Sequence, residues 1–339
     1  VDELADKVYV GAHAGGMMVL HRRTGKKEFY NQQNSDLPSN NIYSIISDES
    51  DGLWIVSLEC FFYFDITRKK SIILNKDIKG NPIQKYNRLL FRDSKRRIWV
   101  GGEMGLSVYN QLDTSLLTNT DFHITSVLQQ SFVNCIYESS SGYIWVGTRN
   151  GLFVLREGNK EPLQYTTDNG LPSNVIYGIL EDSYGRLWIS TNQGLSCFNP
   201  DSRKLRNFTI VDGLQSNQFN AGAYCRVSNG HMLFGGINGI TSFRPETLID
   251  NPYTPKPVIN KLFVFNKEVL PNDETGILKE NIESVDSITL RSFQNSFSIS
   301  FVVSNYIAGK HNTFAYKLEG YDKEWYRQSD ISPVSYSNL

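Results

Sequence analysis

One aromatic phrase returns along the first 245 or so residues, and it limits the fold more than any other feature of the chain. Trp54, Trp99, Trp145 and Trp188 stand 45, 46 and 43 positions apart, with Tyr9 lying 45 before the first and Leu233 lying 45 after the last. The phrases read KVYVGAHAGG, GLWIVSLEC, RIWVGGEMG, YIWVGTRNG, RLWISTNQG and HMLFGGING. Six positions after each aromatic comes a small residue: Gly15, Cys60, Gly105, Gly151, Gly194 or Gly239. Short apolar runs separated by glycine turns at this period describe β-propeller blades rather than helical repeats.

The clearest copy spans residues 171–208. Val175–Leu180 reads as an inner strand, DSYG (182–185) as a tight turn, Leu187–Ser190 as a second strand and NQG (192–194) as another turn. Leu195–Phe198 gives a third strand and Leu205–Ile210 an outer fourth, with Phe208 facing inward. Four short strands with turn residues between them make one blade, and the recurring tryptophan is expected to pack between neighbouring blades. Inner strands are expected near Ile42, Leu89, Cys135, Val175 and Phe219. The chain opens inside a phrase, so the reading is about five and a half blades of a seven-bladed ring, cut from a longer polypeptide.

A second register accompanies the first. Asn40, Asn87, Asn134, Asn174 and Asn217 each precede an expected inner strand by a few residues. Two roles are open for them: local side-chain-to-backbone bonds fixing the blade-to-blade turn, or a ring of amides at the channel mouth offered to sugar hydroxyls. The second turns should lie on that same face. Their variable residues, His13, Glu103, Met104, Arg149, Asn150, Asn192, Gln193 and Asn238, form the candidate ligand-binding set.

The period stops after FRPETL (243–248). Residues 251–257, NPYTPKP, form a proline-punctuated linker between a repeat domain at 1–250 and a second domain at 258–339. In that second domain Phe293, Phe297, Ile299 and Phe301 suggest a half-buried strand of an Ig/fibronectin-like β-sandwich, also cut short at its end.

Composition removes several functions. Lys and Arg total 34 against 35 Asp and Glu, which gives no basic surface for nucleic acid and no electrostatic membrane anchor. No apolar run is long enough to span a bilayer. Cys60, Cys135, Cys197 and Cys225 lack metal-ligand spacing and read as small buried hydrophobes, so neither a metal nor a cofactor is expected. The histidines (His13, His21, His123, His231 and His311) fit no catalytic motif.

GLPSNVIYGILEDSYGRLWISTNQGLSCFNP and LPSNNIYSIISDESDGLWIVS resemble the two-component-regulator propeller repeat. FAYKLEGYDKEWYRQSD followed by VSYSNL resembles the triple-tyrosine (Y_Y_Y) domain that follows such propellers, with Tyr316, Tyr321 and Tyr336 as its namesake tyrosines. That resemblance implies the periplasmic sensor of a Bacteroidetes hybrid two-component system. Such a sensor binds an oligosaccharide without catalysis, acts as a homodimer and joins the membrane only through a helix absent here. One copy departs from the pattern: Cys60 stands where glycine is usual, so a distorted turn is expected there. The rival readings are a propeller enzyme and a pure protein-interaction propeller. A glycosidase would need paired carboxylates, for which Glu59, Glu103, Glu138 and Asp182 are the candidates.

Overall fold

The computed structural model describes residues 2–4, 6–48, 52–57, 59–74, 86–111, 126–159, 161–248, 256–303, 314–328 and 332–338. The expected linker lies outside the described residues up to residue 255, as do His123 and His311. The chain divides into two units, Val1–Leu248 and Ile249–Leu339.

In the first unit, consecutive strands pair antiparallel into six successive sheets among the described residues. These blades cover residues 2–30, 42–73, 87–110, 133–165, 176–208 and 219–243. Blade 1 corrects the sequence reading. It does have an inner strand, Asp2–Leu4, paired with Lys7–Ala12, so six blades replace the five and a half expected. Blade 5 shows a smaller difference: its outer strand ends at Phe208, and Ile210–Asp212 is a 3-10 turn capped by Thr209. Each inner strand packs against the inner strand of the next blade, and that of blade 4 also approaches that of blade 6. Sheets laid in a row would keep those two apart, so the blades converge on a common axis.

The tryptophan period is the period of the blade interfaces. Trp54 packs with Ile98, Val100 and Tyr109 of blade 3, and Trp99 packs with Val133, Ile144 and Phe153 of blade 4. Trp145 meets Ile176, Ile189 and Phe198 of blade 5, while Trp188 meets Phe219, Phe234 and Phe243 of blade 6. Tyr9 does the same between blades 1 and 2, against Leu53, Ile55 and Phe62. All five are essentially inaccessible to solvent. A large flat ring spans the gap between two twisted sheets, which smaller side chains would leave as a void.

Burying an indole also buries its N–H, which needs an acceptor. In blades 3 and 5 the turn aspartate six positions earlier supplies it. Trp99 Nε1 donates to Asp93 Oδ2 at 2.8 Å and Trp188 Nε1 to Asp182 Oδ2 at 2.9 Å. Arg97 and Arg186 neutralise these buried carboxylates from 2.6 and 2.8 Å. Blade 4 carries Ser139 at this position, and Trp145 Nε1 has no partner among the described residues. A second tie crosses the interfaces: Glu138 accepts both the N–H and the O–H of Ser94 from the preceding blade, and Glu181 treats Ser140 alike.

The hairpin after the second strand is equally constrained in blades 4 and 5. Gly151 and Gly194 sit at φ +119° and +124°, where a Cβ would strike the Tyr165 or Phe208 carbonyl of the outer strand. Their N–H groups donate at 2.7 Å to the carbonyls of Asn174 and Asn217 in the following linker. Blade 1 uses Gly16 for this, one residue past the period, donating to Asn40 O. In the turn at Cys60, part of which lies outside the described residues, one closing bond of the other blades is kept while Cys60 N donates to Ser57 Oγ at 3.0 Å. Ser57 Oγ bonds Cys60 O at 2.9 Å, as Thr191 Oγ1 bonds Gly194 O at 2.8 Å. Cys60, Cys135 and Cys197 are buried, whereas Cys225 is exposed, which corrects its reading as a buried hydrophobe.

In the second unit, Lys267–Glu268, Pro257–Val264, Ser296–Val303 and Val334–Ser337 form a four-stranded antiparallel sheet in that order. Phe314–Tyr316 and Tyr326–Gln328 form a separate hairpin. Phe297, Ile299 and Phe301 contribute to the core, but Phe293 precedes the strand and is 63 % exposed, so the expected stripe begins at Phe297. Tyr316 packs on Tyr326, while Tyr321 meets Tyr336 edge-on with centroids 6.0 Å apart. Tyr336 is buried and donates to Asp322 Oδ2 at 2.8 Å.

Two measurements test this packing. Gly194→Ala should destabilise the chain by about 3 kcal/mol, because strain and a backbone collision combine there. Gly213→Ala, also at positive φ but with open space around it, should lose only about 1 kcal/mol. Urea unfolding compares them; equal losses would contradict the clamp. The second is alkaline lability. Burial first, then a carboxylate acceptor, raises Tyr30, Tyr137 and Tyr336 from 10.0 to about 12. The unfolded chain releases these protons at lower pH than the folded one, so stability should fall as pH rises from about 10 to 12. Melting temperature followed across that range checks it.

Candidate functional site

Linkers and second turns lie at one end of the blades, because the hairpin glycines bond directly to the linker asparagines. The sequence of the linkers explains their shape. In TTDNGLPSN (166–174) and TIVDGLQSN (209–217) a threonine caps a single 3-10 turn, a glycine in the left-handed region ends it, and a leucine plugs the blade core. The asparagine then folds its side chain back. Asn174 Oδ1 accepts from Thr167 N at 2.8 Å, Asn217 Oδ1 from Ile210 N at 2.7 Å and Asn40 Oδ1 from Gln32 N at 3.0 Å.

These three asparagines therefore fix the blade-to-blade turn, and their carbonyl oxygens are committed to local bonds. Asn87 and Asn134 belong to a different register. Pairing against the second strands places Asn87 opposite Gly102 and Asn134 one residue inside Val133–Glu138. Asn87 is thus equivalent to Ile42 and Ile176, whereas Asn134 is equivalent to Tyr43 and Tyr177. Asn134 Nδ2 reaches the next blade and donates to Ile176 O at 2.8 Å.

The second-turn residues divide into two groups. Glu103 and Arg149 enter a shared cluster. Glu103 Oε1 holds Arg88 Nη2 at 2.6 Å, and the Arg88 guanidinium lies 5.6 Å from the Tyr43 ring centre and 5.5 Å from that of Phe132. Arg149 covers Phe132 at 3.8 Å. The result is a stack across blades 2, 3 and 4 in the order Tyr43, Arg88, Phe132, Arg149. Alternating cations and rings hold one another in orientation, each contact contributing about 0.5–1 kcal/mol at an exposed site. Asn150 adjoins the cluster, its N–H on Thr148 Oγ1 and its carbonyl accepting from Gln164.

The remaining candidates lie elsewhere on this end. His13 is exposed in the longer turn of blade 1, beside Ala14, whose N–H donates to Asn41. Gln193 is exposed, with its N–H tied to Thr191 Oγ1, and Asn238 N donates to Gln215 Oε1 at 2.8 Å. Asn192 is half-buried, with Oδ1 inaccessible to water and without a partner among the described residues. No group of His, Cys, Asp and Glu arranged to hold a metal occurs among the described residues.

Sequence reasoning missed Tyr43, Arg88 and Phe132. A signal existed: Tyr43, Arg88, Asn134 and Tyr177 each stand eleven before the tryptophan of their own blade. At that position the side chain leans toward the following blade.

The two component regulator propeller family matches residues 127–150 and 170–193. Each matched segment starts in a linker and stops in a second turn, so it contains the inner strand and the tryptophan of its blade. Blades 4 and 5 thus carry two-component regulator propeller repeats. Over 241 residues it is 32% identical to Histidine kinase P4 of Formosa agariphila, covering 70% of this chain and 18% of that protein. The chain thus spans about a fifth of the length of that relative. Its fold matches the extracellular domain of the hybrid two-component system BT3049 from B. thetaiotaomicron with a TM-score of 0.75 and 26% identity, covering 98% of this chain and 44% of that one. PorZ of Porphyromonas gingivalis shares the fold alone, with a TM-score of 0.56 at 13% identity over 99% of this chain and 50% of that one. The fold of this chain is thus that of the matched part of the BT3049 extracellular domain. Among the described residues no helix is long and apolar enough to cross a membrane.

Asn174→Ala should remove a linker bond and lower stability by about 1–2 kcal/mol. Asn238→Ala, whose side chain carries no such bond, should stay within about 0.5 kcal/mol of the parent. Chemical denaturation distinguishes them.

Proposed function

We propose that the linker end of the propeller binds an oligosaccharide and that this binding is the input of a hybrid two-component system. The Tyr43, Arg88, Phe132 and Arg149 stack carries the reading. It presents rigid planar groups and N–H donors beside a carboxylate, the combination that suits a sugar's flat C–H faces and hydroxyls. Tyr43 is 37 % exposed and Arg149 is exposed, so both are open to a ligand. The neighbouring turns at Asn150 and Gln193 add amides able to donate and accept, while Asn192, its Oδ1 closed to water, has at most its Nδ2 to offer.

Binding without turnover is the mode we infer. A retaining or inverting glycosidase needs two carboxyl groups facing one bond. Here Glu138 is held by Ser94, Asp182 by Trp188 and Arg186, and Glu103 by Arg88. Glu138 and Asp182 also lie at the first turns, the opposite end from Glu103. No metal or cofactor enters this scheme.

By analogy with the histidine kinase and the extracellular domain it resembles, we place this region outside the cytoplasm, in the periplasm. In the whole protein it would act as a homodimer, reaching the membrane through a helix elsewhere in the polypeptide and touching no nucleic acid itself. The ligand would favour one dimer arrangement, and the size of the signal is bounded by its difference in affinity for the two.

Calorimetry with a panel of plant, algal and host oligosaccharides tests this. One of them should bind, Arg149→Ala and Glu103→Gln should each weaken it about tenfold, and chromatography should find the sugar intact. Released product, or binding indifferent to both substitutions, would contradict the proposal.

A further inference from the structure

The opposite, first-turn end of the blades holds a cleft of about 410 Å³ between blades 4 and 5. It lies on the far end from the aromatic–guanidinium stack and owes nothing to it. One wall comes from the first turn of blade 4 (Ser139, Ser140, Ser141) with Tyr143, and from Arg156 just after Gly151–Leu155. The other comes from Glu181 at the end of blade 5's inner strand and from the turn carrying Asp201 and Arg203.

The charges do not cancel within the cleft as simply as two arginines and two acids suggest. Glu181 is already satisfied: it accepts from Ser140 N and Ser140 Oγ, both at 2.7 Å, and from the Tyr137 hydroxyl at 3.3 Å. Burial keeps that phenol protonated up to about pH 12, so it remains a donor. Asp201 is exposed, and its field is spent largely on water. Arg156 is different. Its guanidinium lies 4.3 Å from the Tyr143 ring centre and lines the cleft. Its Nε is inaccessible to water and has no hydrogen-bond partner among the described residues. A ligand oxygen is no smaller than water and cannot reach Nε, so it falls to the terminal N–H groups of Arg156 to meet an anion in the cleft.

We infer that this cleft is a second binding site, and that its ligand is a sugar acid: a small hydroxylated carboxylate. A planar carboxylate matches the guanidinium fork with two parallel bonds, which an isolated hydroxyl cannot. Arg203 supplies a second cation from the facing wall. Ser141 and Asp201 give the mixed donor and acceptor surface that hydroxyls require. The volume lies within the range of small-molecule sites and admits one or two sugar rings.

Glucuronate, glucose and inorganic sulfate, each titrated by calorimetry into the intact chain, form the test. Glucuronate should bind, and glucose roughly tenfold more weakly or not at all, since it lacks the carboxylate. Arg156→Gln should weaken glucuronate about tenfold and Arg203→Ser severalfold, with the ligand-free melting temperature of each variant confirming that it folds. Arg156→Lys should recover only part of the loss, because an ammonium keeps the charge without the fork. Equal affinity for glucose would overturn the carboxylate assignment. Equal affinity for sulfate alone would reduce the site to an anion contact and overturn the sugar-acid assignment. Glucuronate binding that survives both arginine substitutions, or no binding at millimolar concentration, would overturn the site. Because Arg149 and Glu103 lie at the other end, either site can fail without the other.

Discussion

A large aromatic ring filling the gap between two twisted sheets is the contact on which this molecule rests. A four-stranded sheet has two faces to bury, and no blade here could bury both alone. Each tryptophan closes one such face against the next blade, so blade and neighbour are stable only together. In blades 3 and 5 its buried N–H bonds the aspartate six residues earlier, which an arginine neutralises, whereas Trp54 has no such bond among the described residues although Asp48 stands at that position. Blade 4, with Ser139 in place of aspartate, leaves Trp145 without that bond. The same interface keeps its packing and forgoes the hydrogen bond, which shows that ring packing is the primary requirement.

The two ends of the blades follow from that arrangement. At the linker end, glycine, asparagine and a buried leucine lock the connections between blades 1 and 2, 4 and 5, and 5 and 6, which frees the short second turns there to vary without loosening the scaffold. The Tyr43–Arg149 stack uses this freedom: its members come from three blades, and its geometry is set by inner strands rather than by loops alone. At the first-turn end, carboxylates such as Glu138 and Glu181 are occupied in tying one blade to the previous one. Both carboxylates are thereby engaged in ties between blades.

How far the sequence could be read depended on which force set each feature. The blade interfaces were legible, because a buried tryptophan at a fixed period leaves little else for the chain to do. The linker role of Asn40, Asn174 and Asn217 was legible too, through the repeated LPSN-like segments. Asn87 and Asn134 were misplaced because nearness to a strand start is not register. Only the cross-strand pairing, with its bulge near the start of the inner strand, separates them from the other three. Blade 1's inner strand escaped notice because Asp-Glu-Leu carries no apolar run. The stack was missed because it is assembled across blades at a distance of about 45 residues, where no local pattern records it. Phe293 shows the converse error, since alternation alone extended a strand past its true start.

The most direct test of the account is a crystal structure of the chain with an oligosaccharide that binds it. The sugar should lie at the linker end, with one ring against Arg149 or Tyr43 and a hydroxyl on the Glu103 carboxylate. A sugar seated only on the outer strands, or at the first-turn end while the stack stays bare, would contradict it.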